Sequence, residues 1–193
     1  LYKEILKYSP SNTKARINLG VILAKRGQHE EAIKLNKEVS KLSPDDQSVH
    51  SNLASIYVEQ NNYDLAQLEF EKAVKSDPND YVALNNLGII YKQKGDIKKA
   101  MEYYTKALAI NSNYPLTYNN LGNIYLESSQ YDAAIRFYKR AISIDPNKGD
   151  FYSNLGKAYK NKGMIKEAKE SFEDALRLSP GNKDAIDGLG AFK

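Results

Sequence analysis

One short motif returns along this chain at a fixed interval of 34 residues, and that interval limits the fold more than any other feature. Leu-Gly pairs lie at Leu19-Gly20, Leu87-Gly88, Leu121-Gly122, Leu155-Gly156 and Leu189-Gly190, with Leu53-Ala54 at the remaining step. Alanine keeps the same interval at Ala32, Ala66, Ala100, Ala134 and Ala168, and proline keeps it at Pro10, Pro44, Pro78, Pro146 and Pro180. A repeat of this length is typical of stacked supersecondary units, none of which can bury its apolar side alone.

Each period contains two stretches of helical spacing, so it predicts two helices. In the third copy Leu84, Leu87 and Tyr91 lie on one helical stripe, and Ala100 and Tyr104 lie on another. The prediction is an all-α chain with one solenoid domain over residues 1–193. Its parts are a partial repeat at 1–12, full repeats at 13–46, 47–80, 81–114, 115–148 and 149–182, and a closing helix at 183–193.

The turn between the two helices of a repeat is expected to need a left-handed residue, which glycine adopts most readily. Glycine occupies this position at Gly27, Gly95 and Gly163. Asn61 is the next best residue for it, whereas Ser129 departs from the pattern.

The sequence gives almost no signal for catalysis or metal binding. The chain has no cysteine, and its two histidines, His29 and His50, fall in different repeats without the spacing of paired metal ligands. They are interpreted as isolated surface or interface residues, and no catalytic residue, metal or cofactor is predicted. The net charge of +4 is spread along the chain, which gives no case for nucleic acid, and no apolar run is long enough to insert in a membrane.

The pattern of Leu-Gly, Tyr, Ala, Tyr or Phe, Ala and Pro resembles the tetratricopeptide repeat family. The resemblance implies a right-handed superhelical solenoid of antiparallel helix–turn–helix repeats with a concave groove. It also implies a non-enzymatic protein–protein interaction module, a scaffold or adaptor that holds a protein or peptide partner in the groove. The repeat at 13–46 departs most, because Arg16 stands where a large apolar residue is usual and Asn36 replaces an aromatic residue.

Asparagine precedes the Leu-Gly position in every full repeat, although it is only a middling helix former. These residues are Asn18, Asn52, Asn86, Asn120 and Asn154. The family resemblance implies that this position faces the groove, where a ladder of side-chain amides would match the backbone of an extended peptide. The arrangement looks like the repeat domain of O-linked N-acetylglucosamine transferase. The alternative is a structural role in hydrogen bonds between helices.

Neighbouring groove positions are expected to set the specificity. The same face of the first helix carries Val21, Ala24 and Lys25 in one repeat and Ser55, Val58 and Glu59 in the next. Further groove contacts are predicted at Asn85, Asn119, Asn123, Lys157 and Lys160. The two lysines are expected to favour acidic ligand groups. The lysine and arginine pattern of repeat modules that clamp a C-terminal carboxylate is missing.

Two other functions stay open. Leu1, Tyr2, Ile5 and Leu6 form an apolar stripe, so the N-terminal edge is a candidate surface for self-association into a homo-oligomer. The chain could also be the repeat region of a larger enzyme such as a glycosyltransferase.

Overall fold

The computed structural model describes residues 2–9 and 12–192, without the side chains at positions 3, 5 and 6. The described residues form α-helices and connecting turns and contain no strand. They divide into two compact units at 1–110 and 111–193. The prediction of an all-α chain built from antiparallel helix pairs is confirmed, while the right hand of the superhelix stays a prediction.

The helices follow the repeat period. The first unit contains α1 (Tyr2–Tyr8), α2 (Thr13–Lys25), α3 (His29–Leu42), α4 (Gln47–Glu59), α5 (Tyr63–Ser76), α6 (Tyr81–Gln93) and α7 (Ile97–Ile110). The second contains α8 (Pro115–Glu127), α9 (Tyr131–Ile144), α10 (Gly149–Lys162), α11 (Ile165–Leu178) and α12 (Lys183–Gly190). From α2 onward, the first helix of each predicted repeat begins at the residue that opens the repeat, as does the closing helix α12.

Short polar side chains fix several of these helix starts. The Oδ1 atom of Asn12 accepts a hydrogen bond from the backbone N–H of Ala15 at 2.9 Å. Asn182 does the same with Ala185 at 3.0 Å, three residues into α12. Each bond satisfies a backbone donor that has no partner inside the helix, so the first turn starts at a defined residue.

All five turns inside the full repeats contain a left-handed residue. Positive φ angles occur at Gly27, Gly95 and Gly163, and also at Asn61 (φ 57°) and Ser129 (φ 60°). The prediction of a left-handed position is therefore confirmed, and it extends to the serine that departs from the glycine pattern. The next residue closes each turn, as when the N–H of Gln130 donates to the carbonyl of Tyr125 at 2.8 Å.

Glycine and an aromatic ring share the space between the two helices of a repeat. A Cβ added at Gly156 would lie 2.7 Å from atoms of the Phe172 ring, and Gly88 and Tyr104 show the same close approach. In the first repeat Asn36 takes the place of the ring above Gly20 and is fully buried. Its Nδ2 donates to the Ala32 carbonyl at 2.8 Å.

His50 is a buried interface residue with 5% exposure. Its Nδ1 lies 2.6 Å from the Glu69 carboxylate, and its Nε2 lies 2.8 Å from the Pro44 carbonyl oxygen. The imidazole therefore joins α4 to α5 and to the loop before α4. His29 lies nearer the surface, with Nε2 3.5 Å from the Glu59 carboxylate.

Candidate functional site

Three helices of the first unit carry an asparagine at the same position of the repeat. Asn18 lies in α2, Asn52 in α4 and Asn86 in α6, and each side chain is half-buried. None of the three amides hydrogen bonds to another residue in the part of the chain that the structure describes. A half-buried amide offers two donors and a carbonyl acceptor, so these groups can bind a ligand without breaking an internal bond.

A pocket of about 200 Å³ opens beside the middle asparagine, between α2 and α4. Six of its lining residues occupy predicted groove positions: Val21, Ala24, Lys25, Asn52, Ser55 and Glu59. The seventh is Ile56, which is 2% exposed and belongs to the core of the first unit. The structure thus brings groove positions of two neighbouring repeats together around one cavity.

In the second unit, side-chain amides of the predicted site form hydrogen bonds with other side chains of the protein. The Nδ2 of Asn154 donates to the Oδ1 of Asn119 at 2.9 Å, which joins α10 to α8. The Oδ1 of Asn123 accepts a hydrogen bond from the Tyr138 hydroxyl at 2.8 Å. Asn120 also has an interaction within the protein. The structural role that the sequence leaves open is therefore present in this unit.

The Tyr138 hydroxyl keeps its proton under ordinary conditions. Burial raises the pKa of Tyr138 well above its usual range, and the Glu127 carboxylate raises it further. A neutral hydroxyl donates a hydrogen bond, so the Asn123 carbonyl oxygen has a permanent donor.

Asn85 differs from the other predicted groove residues because it is 2% exposed. Asn85 also has an interaction within the protein. The ligand contact at Asn85 stays a prediction, and the function proposed for this chain does not depend on it.

The two predicted groove lysines have partners in the second unit. The Nζ of Lys157 lies 2.6 Å from the Asp184 carboxylate of α12. The Nζ of Lys160 lies 5.7 Å from the centre of the Phe192 ring. An acidic ligand would have to compete with Asp184 for Lys157, which weakens the expected attraction at this end. Both members of the ion pair are at least a third exposed, so the pair itself contributes little stability.

Other kinds of site find no support in the described residues. They contain no cluster of three or more metal-ligating side chains, and none of their helices is long and apolar enough to cross a membrane. The apolar stripe predicted at the N-terminal edge depends on Leu1, Ile5 and Leu6, whose side chains lie outside the described residues. Tyr2 is described, and it packs against the core that includes Leu19 and Leu23.

Sequence models of the tetratricopeptide repeat match nearly the whole chain. The matched residues are 1–56, 23–87, 81–114, 103–136 and 149–182, and a related model described as TPR repeat matches 122–163. No curated protein matches the chain.

Several solved structures resemble the chain over most of its length. The match with a MamA protein has 27% sequence identity and a TM-score of 0.70. It covers 87% of this chain and 92% of the MamA chain. The pilF protein of Pseudomonas aeruginosa shares 20% identity over 93% of this chain and 84% of its own, with a TM-score of 0.82. YrrB, described as a TPR protein with an unusual peptide-binding site, shares 19% identity over 98% of both chains, with a TM-score of 0.68. The last two likenesses concern the fold alone.

Proposed function

Because this chain belongs to the tetratricopeptide repeat family, whose members serve as protein–protein interaction modules, we propose that it binds an extended partner peptide through α2, α4 and α6. The observation that carries the proposal is the set of three half-buried amides at Asn18, Asn52 and Asn86, which have no hydrogen bond to the described residues. The module is non-catalytic and acts as an adaptor or scaffold. The peptide-binding site described for YrrB supports a peptide as a ligand class that this fold can take.

Side-chain amides suit an extended peptide because they can form hydrogen bonds with its backbone. A peptide laid along the groove loses water from its backbone N–H and C=O groups, and a buried group left unpaired costs about 1–3 kcal/mol. A side-chain amide can satisfy one donor and one acceptor of that backbone at once. One asparagine on each successive first helix therefore supplies partners at regular steps, whatever the side chains of the peptide.

The amides of the second unit have a different part in the proposal. Asn154 already donates a hydrogen bond to Asn119 at 2.9 Å, so a ligand would have to break that bond before it could bind the two amide groups involved. The net gain from such an exchange is small. We therefore assign peptide contact to the first unit and a structural role to this pair.

The test uses peptides selected from a random display library on the wild-type chain. Changing Asn18, Asn52 and Asn86 together to alanine should weaken binding of a selected peptide by about 1.5–4.5 kcal/mol, if the three bonds add. Calorimetry gives the affinity and circular dichroism gives the helix content. The matched control changes Asn119 and Asn154 to alanine, which should lower stability and leave affinity unchanged. A triple variant that stays folded and binds as tightly as the wild type would contradict the proposal.

A further inference from the structure

We infer that the pocket between α2 and α4 receives one branched aliphatic side chain of the partner, with an acidic residue beside it. This inference rests on the proposed function, because it gives that peptide a sequence preference and a register. The pocket is lined by the groove positions of two repeats and has Asn52 at its edge.

The size of the pocket indicates a single side chain as its occupant. It measures about 200 Å³, whereas sites for whole small molecules usually measure about 300–1,000 Å³. It also opens onto the face that carries the asparagines, so a side chain can enter while its backbone stays in the groove. The amide of Asn52 is then placed to bind the backbone next to the inserted residue.

The lining determines which side chain fits. Val21, Ala24 and Ile56 form the apolar part, and the first two are half-buried without a ligand. An aliphatic group entering there removes apolar surface from water on both partners, which favours binding. A charged or amide side chain in the same position would lose its hydration without gaining a partner, which disfavours it.

The charges around the pocket indicate the neighbouring residue. Lys25 and Glu59 both line the pocket and are exposed. Glu59 lies 3.5 Å from His29, whereas Lys25 has no ion pair with the described residues. Lys25 is thus the charged group at the rim with no polar side chain of the described residues beside it, and its ammonium can pair with a ligand carboxylate. An acidic residue next to the aliphatic one would meet Lys25 at the rim.

The experiment begins with peptides selected on the wild-type chain from a random display library. The selected sequences should share Val, Leu or Ile at one position, with Asp or Glu beside it. Changing that aliphatic residue to alanine in one selected peptide should weaken binding to the wild type about 15- to 60-fold, because two or three buried carbon groups are lost. The same change should alter binding to the Ala24→Phe variant less than twofold, because the new ring already fills the pocket.

Controls separate this inference from the proposed function. Val58→Phe places the same ring at the same groove position one repeat later, outside the pocket lining, and should keep the aliphatic preference. If Ala24→Phe fails to fold, Ser55→Phe fills the pocket from an exposed position. Failure to select any peptide overturns both ideas. Two results would overturn the pocket inference and leave the proposed function standing. In the first, the selected peptides bind through the three asparagines but share no aliphatic position. In the second, the filled variants keep the same aliphatic preference as the wild type.

Discussion

The side-chain amide of Asn154 donates a hydrogen bond to the carbonyl oxygen of Asn119, with 2.9 Å between the two atoms. The two residues lie 35 positions apart, one repeat and one residue, so each ladder asparagine from Asn52 onward has a potential partner at that distance upstream. For Asn52 this upstream residue is Ile17, which has no hydrogen-bonding side chain. For Asn86 it is Ser51, whose hydroxyl instead donates to Asp80 at 3.2 Å. The ladder amide of Asn154 thus has an asparagine at this upstream position, whereas the unpaired amides of Asn52 and Asn86 do not.

Asn154→Ala should destabilise the chain more than Asn52→Ala, by about 1 kcal/mol, because only the first change removes an internal hydrogen bond. Both substitutions bring the same gain in helix propensity, so the difference between them isolates the bond. Urea unfolding of the two variants measures it. Equal free energies of unfolding would show that the bond between Asn154 and Asn119 contributes nothing.

Asn36→Phe should stabilise the chain by about 1 kcal/mol or more, because it replaces a buried amide with an apolar ring. The Oδ1 atom of Asn36 is buried and has no hydrogen bond to the described residues. Gly20 leaves the same space beside it that Gly156 leaves for Phe172. Thermal unfolding followed by circular dichroism gives the change, with Asn36→Ala as the control that removes the amide without adding the ring. A lower melting temperature for Asn36→Phe than for Asn36→Ala would contradict the prediction.

Gly156→Ala should lower the free energy of unfolding by about 1–3 kcal/mol, because the new methyl group overlaps the Phe172 ring in a packed core. Gly190 occupies the same repeat position in α12, yet a Cβ added there meets nothing within 4 Å. Gly190→Ala is therefore the matched control and should be neutral or slightly stabilising. Chemical denaturation compares the two, and a similar loss in both variants would rule out the close approach as the cause.

Ser129→Gly should stabilise the chain by about 1 kcal/mol, because a left-handed conformation costs about 1–2 kcal/mol in a residue with a Cβ. The reverse change, Gly163→Ala, should cost a similar amount at the equivalent turn, where φ is 84°. No atom lies within 4 Å of a Cβ added at Gly163, so the cost is one of backbone conformation rather than crowding. Differential scanning calorimetry of both variants checks the pair. Stabilisation by Gly163→Ala would contradict the account of this turn.

The fold could be predicted from the sequence because the determining information is local and repeated. Three kinds of signal each act within a few residues: the helical spacing of apolar residues, N-terminal caps such as Asn12, and left-handed turn residues such as Gly95. Such signals recur in successive repeats. Even Ser129 adopts the left-handed conformation, because the helices on either side require it there.

The candidate site could be predicted only in part, because burial and pairing depend on neighbours that the period does not fix. Asn85 and Asn119 occupy the same repeat position, yet Asn85 is buried at 2% exposure while Asn119 is half-buried and accepts from Asn154. The position of His50 does carry a clue. It lies 34 residues after Arg16, at a slot where a large apolar residue is usual, and this indicates burial.

Because the paired amides lie 35 residues apart, a residue that does not contact the ligand can still affect its binding. Ile17 is not among the residues to which we assign peptide contact. An asparagine at this position would nevertheless offer Asn52 an internal hydrogen-bond partner, and the Asn52 amide would then be less available to a peptide. We therefore expect that a single substitution one repeat upstream of the contact changes the binding strength. Mutational scans of such a protein would find that residues which do not themselves bind the peptide control its affinity, at an offset that can be read directly from the sequence.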